Sequence, residues 1–288
     1  MQLQKVIIIL PVYKVFYDLT KNEIRSLMQL NNVLREFSIC IVAAYNFPVD
    51  DYVRIFKGQK IFIEYFKAEM LKTVSSYNCL CLSKKFYERF LGYKYMLIYQ
   101  SDAYVFRNQL QFWTEQGYDY IGAPFYKNNR EPFDMHHWMV GNGGFSLRAT
   151  KKCYALTKKI EFYHLLIKVF DTIRFKKLVF NFLIKLGFNN LAIIQKIILN
   201  KYNEDYVFGV LSKSLMKNFI VPPIEKAWQF SFEAHPSKLY TLNNNQLPFG
   251  CHGWEKYEPE FWVKFIYEPT EGKLDLLTEK NDGNLLNE

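Results

Sequence analysis

Four groups of residues in this sequence carry side chains suited to chemistry, and each sits where an apolar pattern breaks. The first is Gln100-Ser101-Asp102, which interrupts the aromatic and branched run from Tyr95 to Phe106. A run that short reads as a buried strand ending in a site. A carboxylate there is costly unless it is paired, hydrogen-bonded or bound to a cation, so a partner is expected at Asp102. Capping of the following turn is the plainer use of the same residue. The second group is Glu204-Asp205, at the start of an apolar helical pattern that runs from Asn203 to Ser212. Acidic residues in a first helical turn complement the helix dipole. Facing a pocket, the two could divide labour, one orienting a hydroxyl and the other taking its proton.

The third group is Gly141-Asn142-Gly143-Gly144, just ahead of the strand-like Phe145-Ser146-Leu147. Its glycines suit either a β-bulge or a ligand lying against the main chain, and the neighbouring groups favour the ligand. The fourth is Pro248 to Trp254, a compact loop in which Gly250 and Gly253 flank the His252 imidazole beside the Trp254 ring. His136-His137 is not a chelating pair, because adjacent side chains in a strand point to opposite faces.

The elements that must position these groups read as one α/β domain. Lys5 to Tyr13 is a continuous apolar run ended by Pro11, the pattern of a parallel strand buried on both faces. Thr20-Lys21-Asn22-Glu23 fits a capping box, and Ile24, Leu27, Met28 and Leu30 give the helix behind it an apolar face. Phe37 to Ala44 and Lys60 to Phe66 read as the next strands, Met70 to Phe90 as a helical region containing Tyr77-Asn78, and Tyr118 to Pro124 as a later strand. The β-α-β opening predicts a mostly parallel, doubly wound sheet flanked by helices. Ligands of such sheets lie beyond the carboxyl ends of the strands, here Pro11-Val12-Tyr13, Ala43-Ala44-Tyr45 and Gln100-Ser101-Asp102. Neither G-x-G-x-x-G nor a P-loop follows the first strand, which argues against a dinucleotide cofactor and against ATP on a Walker loop.

At 288 residues and 50% hydrophobic, the chain suits a single domain over residues 1–270, followed by a polar, acidic, loose tail over 271–288. Aromatic residues make up 18%, most of them assigned to core packing. Five cysteines match no zinc or disulfide spacing, so free thiols in a reducing, cytoplasmic setting are expected. No signal peptide and no membrane-spanning run is visible. Residues 151–201 hold eleven lysines and arginines against two acidic residues, which alone equals the formal +9 of the chain. This basic helical insertion, with Phe175, Leu178, Val179, Phe182, Leu183 and Leu186 at helical spacing, reads as packed on the core with a solvated edge. Contact with the inner face of an anionic membrane or with a second copy is the alternative. Nucleic acid is disfavoured, since the aromatics keep core spacing and no reader motif is present.

Taken in order, Leu97 to Ala103, Asp119 to Pro124, Gly141 to Arg148 and Asn203 to Asp205 resemble strings of metal-dependent glycosyltransferases of the GT-A fold. The similarity is greatest to an uncharacterised branch known only as a domain of unknown function, and it runs from Lys5 to Trp254 apart from the basic insertion. The resemblance implies a GT-A-like, Rossmann-like fold. It also implies transfer of a sugar from a UDP- or GDP-linked donor to a glycan or lipid-linked glycan, assisted by Mn2+ or Mg2+. Gln100-Ser101-Asp102 stands where that fold carries its D-x-D metal motif, with Asp102 as the last acid and Gln100 as a departure. His252 is similar to the C-terminal histidine that completes the metal shell. Pro11, Val12 and Tyr13 resemble the base-binding end of the first strand, Tyr77 and Asn78 are placed on the donor side with them, and Gly143-Gly144 resembles the segment along which the donor sugar lies. Asp205 is then the expected general base and Glu204 the residue that holds the acceptor, with His137, Trp138 and Trp254 on the acceptor side. A base opposite the leaving group implies inversion, although retaining members show a comparable order of motifs. Gln100 also leaves room for a catalytically silent relative that binds a nucleotide or glycan.

Overall fold

The computed structural model describes residues 4–126, 138–171, 190–199 and 201–267. Its centre is β1 (Gln4–Pro11), flanked in parallel by β2 (Ile39–Ala44) and β4 (Tyr93–Tyr99), with β3 (Ile61–Phe66) outside β2. Alternate residues of β1 point to opposite faces, as any strand requires. Ile8 and Leu10 enter one core and Ile7 and Ile9 the other, which is why the run has no polar face. On the first face lies α1 (Lys21–Val33), which buries Leu27 and Leu30. Its start is fixed by the predicted capping box: Thr20 Oγ1 accepts from the Glu23 N–H, and Glu23 Oε2 accepts from the Thr20 N–H.

The shorter elements complete the sheets around this frame. They are α2 (Asp50–Ile55), α3 (Val74–Cys81), α4 (Lys84–Glu88), β5 (Ala103–Val105), α5 (Leu110–Glu115), β6 (Tyr120–Ile121), β7 (Pro124–Tyr126), β8 (Trp138–Val140) and β9 (Phe145–Ala149). Strand β9 runs antiparallel to β4, and β6 antiparallel to β9, so the six-stranded order is β3-β2-β1-β4-β9-β6. The sheet is mostly parallel and helix-flanked, as expected. Two further strands, β10 (Ser231–Phe232) and β11 (Gly250–His252), form a small sheet with β5 in the order β10-β11-β5. Beneath it is a third core of Tyr104, Trp228, Phe232, Trp254 and Trp262.

The basic insertion is helical where it is described. Helix α6 (Thr150–Asp171) packs on α4 and β4, and a helix over Asn190–Ile198 packs on α6. Leu156, Ile160, Ile194 and Ile197 are buried in the second core, while Lys151, Lys158, Lys168 and Lys196 are exposed. That is a core-packed helix pair with a solvated edge. The apolar pattern from Phe175 to Leu186 and the tail from 271 lie outside the described residues. Among the described residues, no helix is long and apolar enough to cross a membrane.

Candidate functional site

One register decides the site. Antiparallel pairing of β11 with β5 sets His252 opposite Ala103 and Cys251 opposite Tyr104, and the Gly253 N–H donates to the Asp102 carbonyl at 3.0 Å. The two halves of the site, 150 positions apart in the chain, are thereby forced together: His252 Nε2 lies 3.1 Å from Asp102 Oδ1. The same nitrogen is 3.0 Å from Gln100 Oε1, and Nδ1 is 3.0 Å from Glu233 Oε2. Glu233 follows β10, the neighbour of β11, so the small sheet supplies both the imidazole and the carboxylate that orients it. Burial works against the charged ring, but Glu233 and Asp102 outweigh it and push the imidazole up to about 10. Burial likewise opposes ionised Asp102, yet the charges of His252 and Lys256 hold it well below the usual carboxylate range. Lys256 Nζ lies 3.0 Å from Asp102 Oδ2.

In this arrangement Asp102 Oδ1 is buried and faces His252 Nε2 at 3.1 Å. A carboxylate oxygen, a neutral amide oxygen and an imidazole nitrogen thus converge. Such a donor set would suit a divalent cation that prefers oxygen-rich ligands. Among the described residues, no group of three or more His, Cys, Asp or Glu side chains could hold a metal, so Gln100 would supply the third donor as a neutral group.

On the other side of the triplet, Ser101 Oγ donates to Glu23 Oε1 at 2.9 Å, and Lys14 Nζ reaches the same oxygen at 2.9 Å. Burial raises the Glu23 carboxyl, and the bonds from Lys14, the Thr20 N–H and Ser101 bring it below its ordinary value. One side chain therefore caps α1, ties down the triplet and fixes a lysine at the end of β1. Tyr13, half exposed, stands beside this network, and its hydroxyl pKa is raised by partial burial and by Asp102 and Glu23. Tyr13 and Val12 line a cavity of about 310 Å³ with Ala44, Phe47, Glu69 and Lys72, at the carboxyl ends of β1 and β2.

Beyond Gly144 the site continues to Asp205. Asp205 Oδ2 accepts from the Asn142 N–H at 3.2 Å and Oδ1 from the Tyr206 N–H at 2.7 Å, and Asn142 takes φ +58° to make this approach. Burial raises its carboxyl above the ordinary range, and Glu233 adds to the rise. The helical turn Glu204–Tyr206 runs into a π turn over Val207–Leu211 rather than the regular helix expected, and such turns collect at functional sites.

Several expected roles change. Glu204 does not face an acceptor: it is 3% exposed, and its Oε1 accepts from Arg148 Nη2 at 2.9 Å. Gly143 and Gly144 are glycines because protein side chains press on them. A Cβ at Gly143 would overlap Glu204 Oε1, and one at Gly144 would overlap His252 Nε2, so neighbouring side chains alone already require glycine at both positions. Trp254, expected to meet the acceptor, is 0% exposed in the third core, and Trp138 is buried in β8. Tyr77 turns its hydroxyl inward toward Arg148 and Glu204, while Asn78 Nδ2 donates to Asn203 Oδ1 at 3.0 Å, tying α3 to the Asp205 turn. His137 lies outside the described residues. Pro11 is the last residue of β1, and Val12 and Tyr13 just beyond it line the cavity. Sequence reasoning missed Glu23, Glu233, Lys14, Lys256 and Arg148. Glu23 carried a signal, as the acidic member of the capping box, but nothing in its spacing pointed to the triplet.

Fold and site together define a mostly parallel α/β protein whose cleft lies at the carboxyl ends of its parallel strands. The chain belongs to the family described as "Protein of unknown function (DUF5672)", which matches residues 60–252. No curated protein matches the sequence. Among solved structures, the chain is similar to the mannosyltransferase Ktr4p from S. cerevisiae at 14% identity, with 54% of this chain and 59% of that one covered and a TM-score of 0.39. It is similar to mouse xyloside xylosyltransferase 1 at 8% identity, with 87% and 97% covered and a TM-score of 0.49. A glycosyltransferase involved in glycosylation of the major capsid of PBCV-1 aligns at 12% identity over 89% and 96%, with a TM-score of 0.41. The chain thus spans about three fifths of the yeast mannosyltransferase it matches.

Proposed function

We propose that this chain is a glycosyltransferase that takes a sugar from a nucleotide-diphosphate-sugar donor and passes it to a glycan or lipid-linked glycan acceptor. The observation that carries the reading is the meeting of Asp102, Gln100 and His252 at the end of β4, 3.0–3.1 Å about one imidazole nitrogen and beside the cavity at Tyr13. Asp102, His252 and Gln100 would hold Mn2+ or Mg2+, whose charge offsets the negative charge that develops on a departing nucleoside diphosphate. Glu233 keeps the His252 proton on Nδ1 when the ring is neutral, and so presents the Nε2 lone pair to the site. The base of the donor lies in the cavity lined by Val12 and Tyr13.

Asp205 serves as general base toward the acceptor hydroxyl. Its raised pKa suits the task, since a stronger base takes a proton more readily, and general-base help is worth about 10²–10⁴ in rate. The Asn142 N–H fixes the direction of the carboxylate. With the base opposite the leaving group, inversion is the expected stereochemistry, read by NMR of the product anomer. The test is release of nucleoside diphosphate from UDP- and GDP-sugars with Mn2+, in wild type and Asp205→Asn. The variant should lose transfer while donor binding stays within about threefold, because its contacts are on the acceptor side. Equal loss of both would remove the base assignment. The neutral Gln100 favours one other reading, a nucleotide- or glycan-binding protein without turnover, which any sustained donor consumption rules out.

A further inference from the structure

We infer that Lys14 and Lys256 form a two-lysine clamp that grips the diphosphate of the donor directly, so that nucleotide binding survives removal of divalent metal. The inference rests on the nucleotide-sugar reading above and goes further in saying what holds the phosphates. Both ammonium groups flank the Ser101-Asp102 dipeptide. Lys14 Nζ and Ser101 Oγ each lie 2.9 Å from the one oxygen Glu23 Oε1, so the two are at most about 6 Å apart, and Lys256 Nζ is 3.0 Å from Asp102 Oδ2. Ser101 and Asp102 are consecutive in the turn after β4, which sets the two ammonium groups beside neighbouring residues.

Lys14 is unlike an ordinary surface lysine, because it is fixed at both ends. Its carbonyl accepts from the hydroxyl of Tyr52, itself 1% exposed, at 2.7 Å, and its ammonium is held by buried Glu23. The side chain nonetheless keeps 42% of its surface open, and that of Lys256 keeps 66%. An ammonium has three N–H donors and each of these spends one on its carboxylate, leaving donors for phosphate oxygens. The clamp also answers a charge deficit. Where an acid at position 100 would strengthen the hold on a divalent cation, Gln100 contributes no charge, and a dianionic diphosphate still needs compensation.

The test is isothermal titration with UDP and with GDP, in excess EDTA and in Mn2+, on wild type, Lys14→Met, Lys256→Met and Lys14→Arg. In EDTA, wild type should keep its affinity for the better nucleotide within about tenfold of the Mn2+ value. Each methionine variant should then lose about tenfold or more, the worth of one charge-assisted contact. Lys14→Arg, which keeps the charge, should recover most of that loss, and an unchanged urea midpoint for Lys14→Met separates a phosphate contact from a structural role of the Glu23 pair. If chelation abolishes binding to wild type while Mn2+ restores it, the clamp is wrong and the nucleotide site stands. Methionine variants that bind like wild type in EDTA would overturn it equally. If neither nucleotide binds under any condition, the nucleotide-sugar reading falls first and the clamp with it.

Discussion

Removing Glu204 should cost stability, because its carboxylate balances the most deeply buried cation in the described chain. The Arg148 side chain is 0% exposed, with Nη2 on Glu204 Oε1 at 2.9 Å, Nη1 on the Tyr87 hydroxyl at 3.1 Å and Nε on Ser146 Oγ at 3.0 Å. Its guanidinium also lies 5.5 Å from the Tyr120 ring centre and 5.3 Å from that of Phe208. Glu204→Leu would leave that guanidinium buried without a counter-charge, a loss of about 3–5 kcal/mol. Glu204→Gln keeps an acceptor oxygen and should cost less, about 1.5–3 kcal/mol, the range of a hydrogen bond to a charged group. The double variant Arg148→Met, Glu204→Leu removes both charges and should recover most of the loss, since apolar residues of similar size often replace a buried pair without penalty. Urea denaturation measures all three, read as a midpoint shift at unchanged slope. Glu204→Leu within about 0.5 kcal/mol of wild type, the range of an ordinary surface substitution, would refute the pair as a structural element. A fully stable Glu204→Gln that has lost only acceptor affinity would return Glu204 to the acceptor.

Four further outcomes follow from the same geometry. Gly144→Ala drives a methyl group into His252 and should lower donor turnover by about a hundredfold, the cost of displacing a site group by about 1 Å; Gly92→Ala, with nothing within 4 Å of its added carbon, is the matched control, and equal activity of the two would contradict the close approach. The His252 pKa, raised from 6.5 to about 10, means that the ring must lose a proton before Nε2 can bind a cation. Mn2+ affinity should therefore rise with pH up to about 10, and Glu233→Gln should move that rise to lower pH; titration in two buffers of different ionisation heat counts the released proton, and a flat profile would exclude Nε2 as a ligand. The same shift makes the folding stability contributed by His252 complete below about 6.5 and lost as pH rises through about 10. Trp254→Ala should destabilise by about 3–5 kcal/mol, as large-to-small core changes do, and Trp254→Phe should leave KM for acceptor unchanged; a raised KM without loss of stability would restore an acceptor role.

Much of the frame was legible because local pattern and global burial agree. The unbroken apolar run of β1 could only be a strand buried on both faces, and the Thr20–Glu23 box could only start a helix. The meeting of Asp102 and His252 was expected from motif resemblance, and the β5–β11 register is its physical cause, a non-local pairing that spacing does not encode. Partners in the site were less legible for the same reason. Glu233 reaches His252 through a parallel β10–β11 contact, and Lys256 reaches Asp102 from a loop about 150 positions away. The glycines at 143 and 144 looked like room for a ligand, but close approach by Glu204 and His252 imposes the same requirement, and sequence alone does not tell a ligand from a neighbouring side chain. The aromatic rings of Trp138 and Trp254 were likewise legible as large apolar groups but not as core, since burial depends on the third core assembling beneath the small sheet.

The central claim is that the Asp102–His252 cleft handles a nucleotide-linked sugar, and it is tested most directly by following nucleoside diphosphate release from a panel of UDP- and GDP-sugars in Mn2+. Wild type should consume one donor, and Asp102→Ala should reduce that consumption by about a hundredfold or more, because it removes a charge that acts on the leaving group. Failure of wild type to consume or bind any of these donors, or undiminished consumption by Asp102→Ala, would contradict the account.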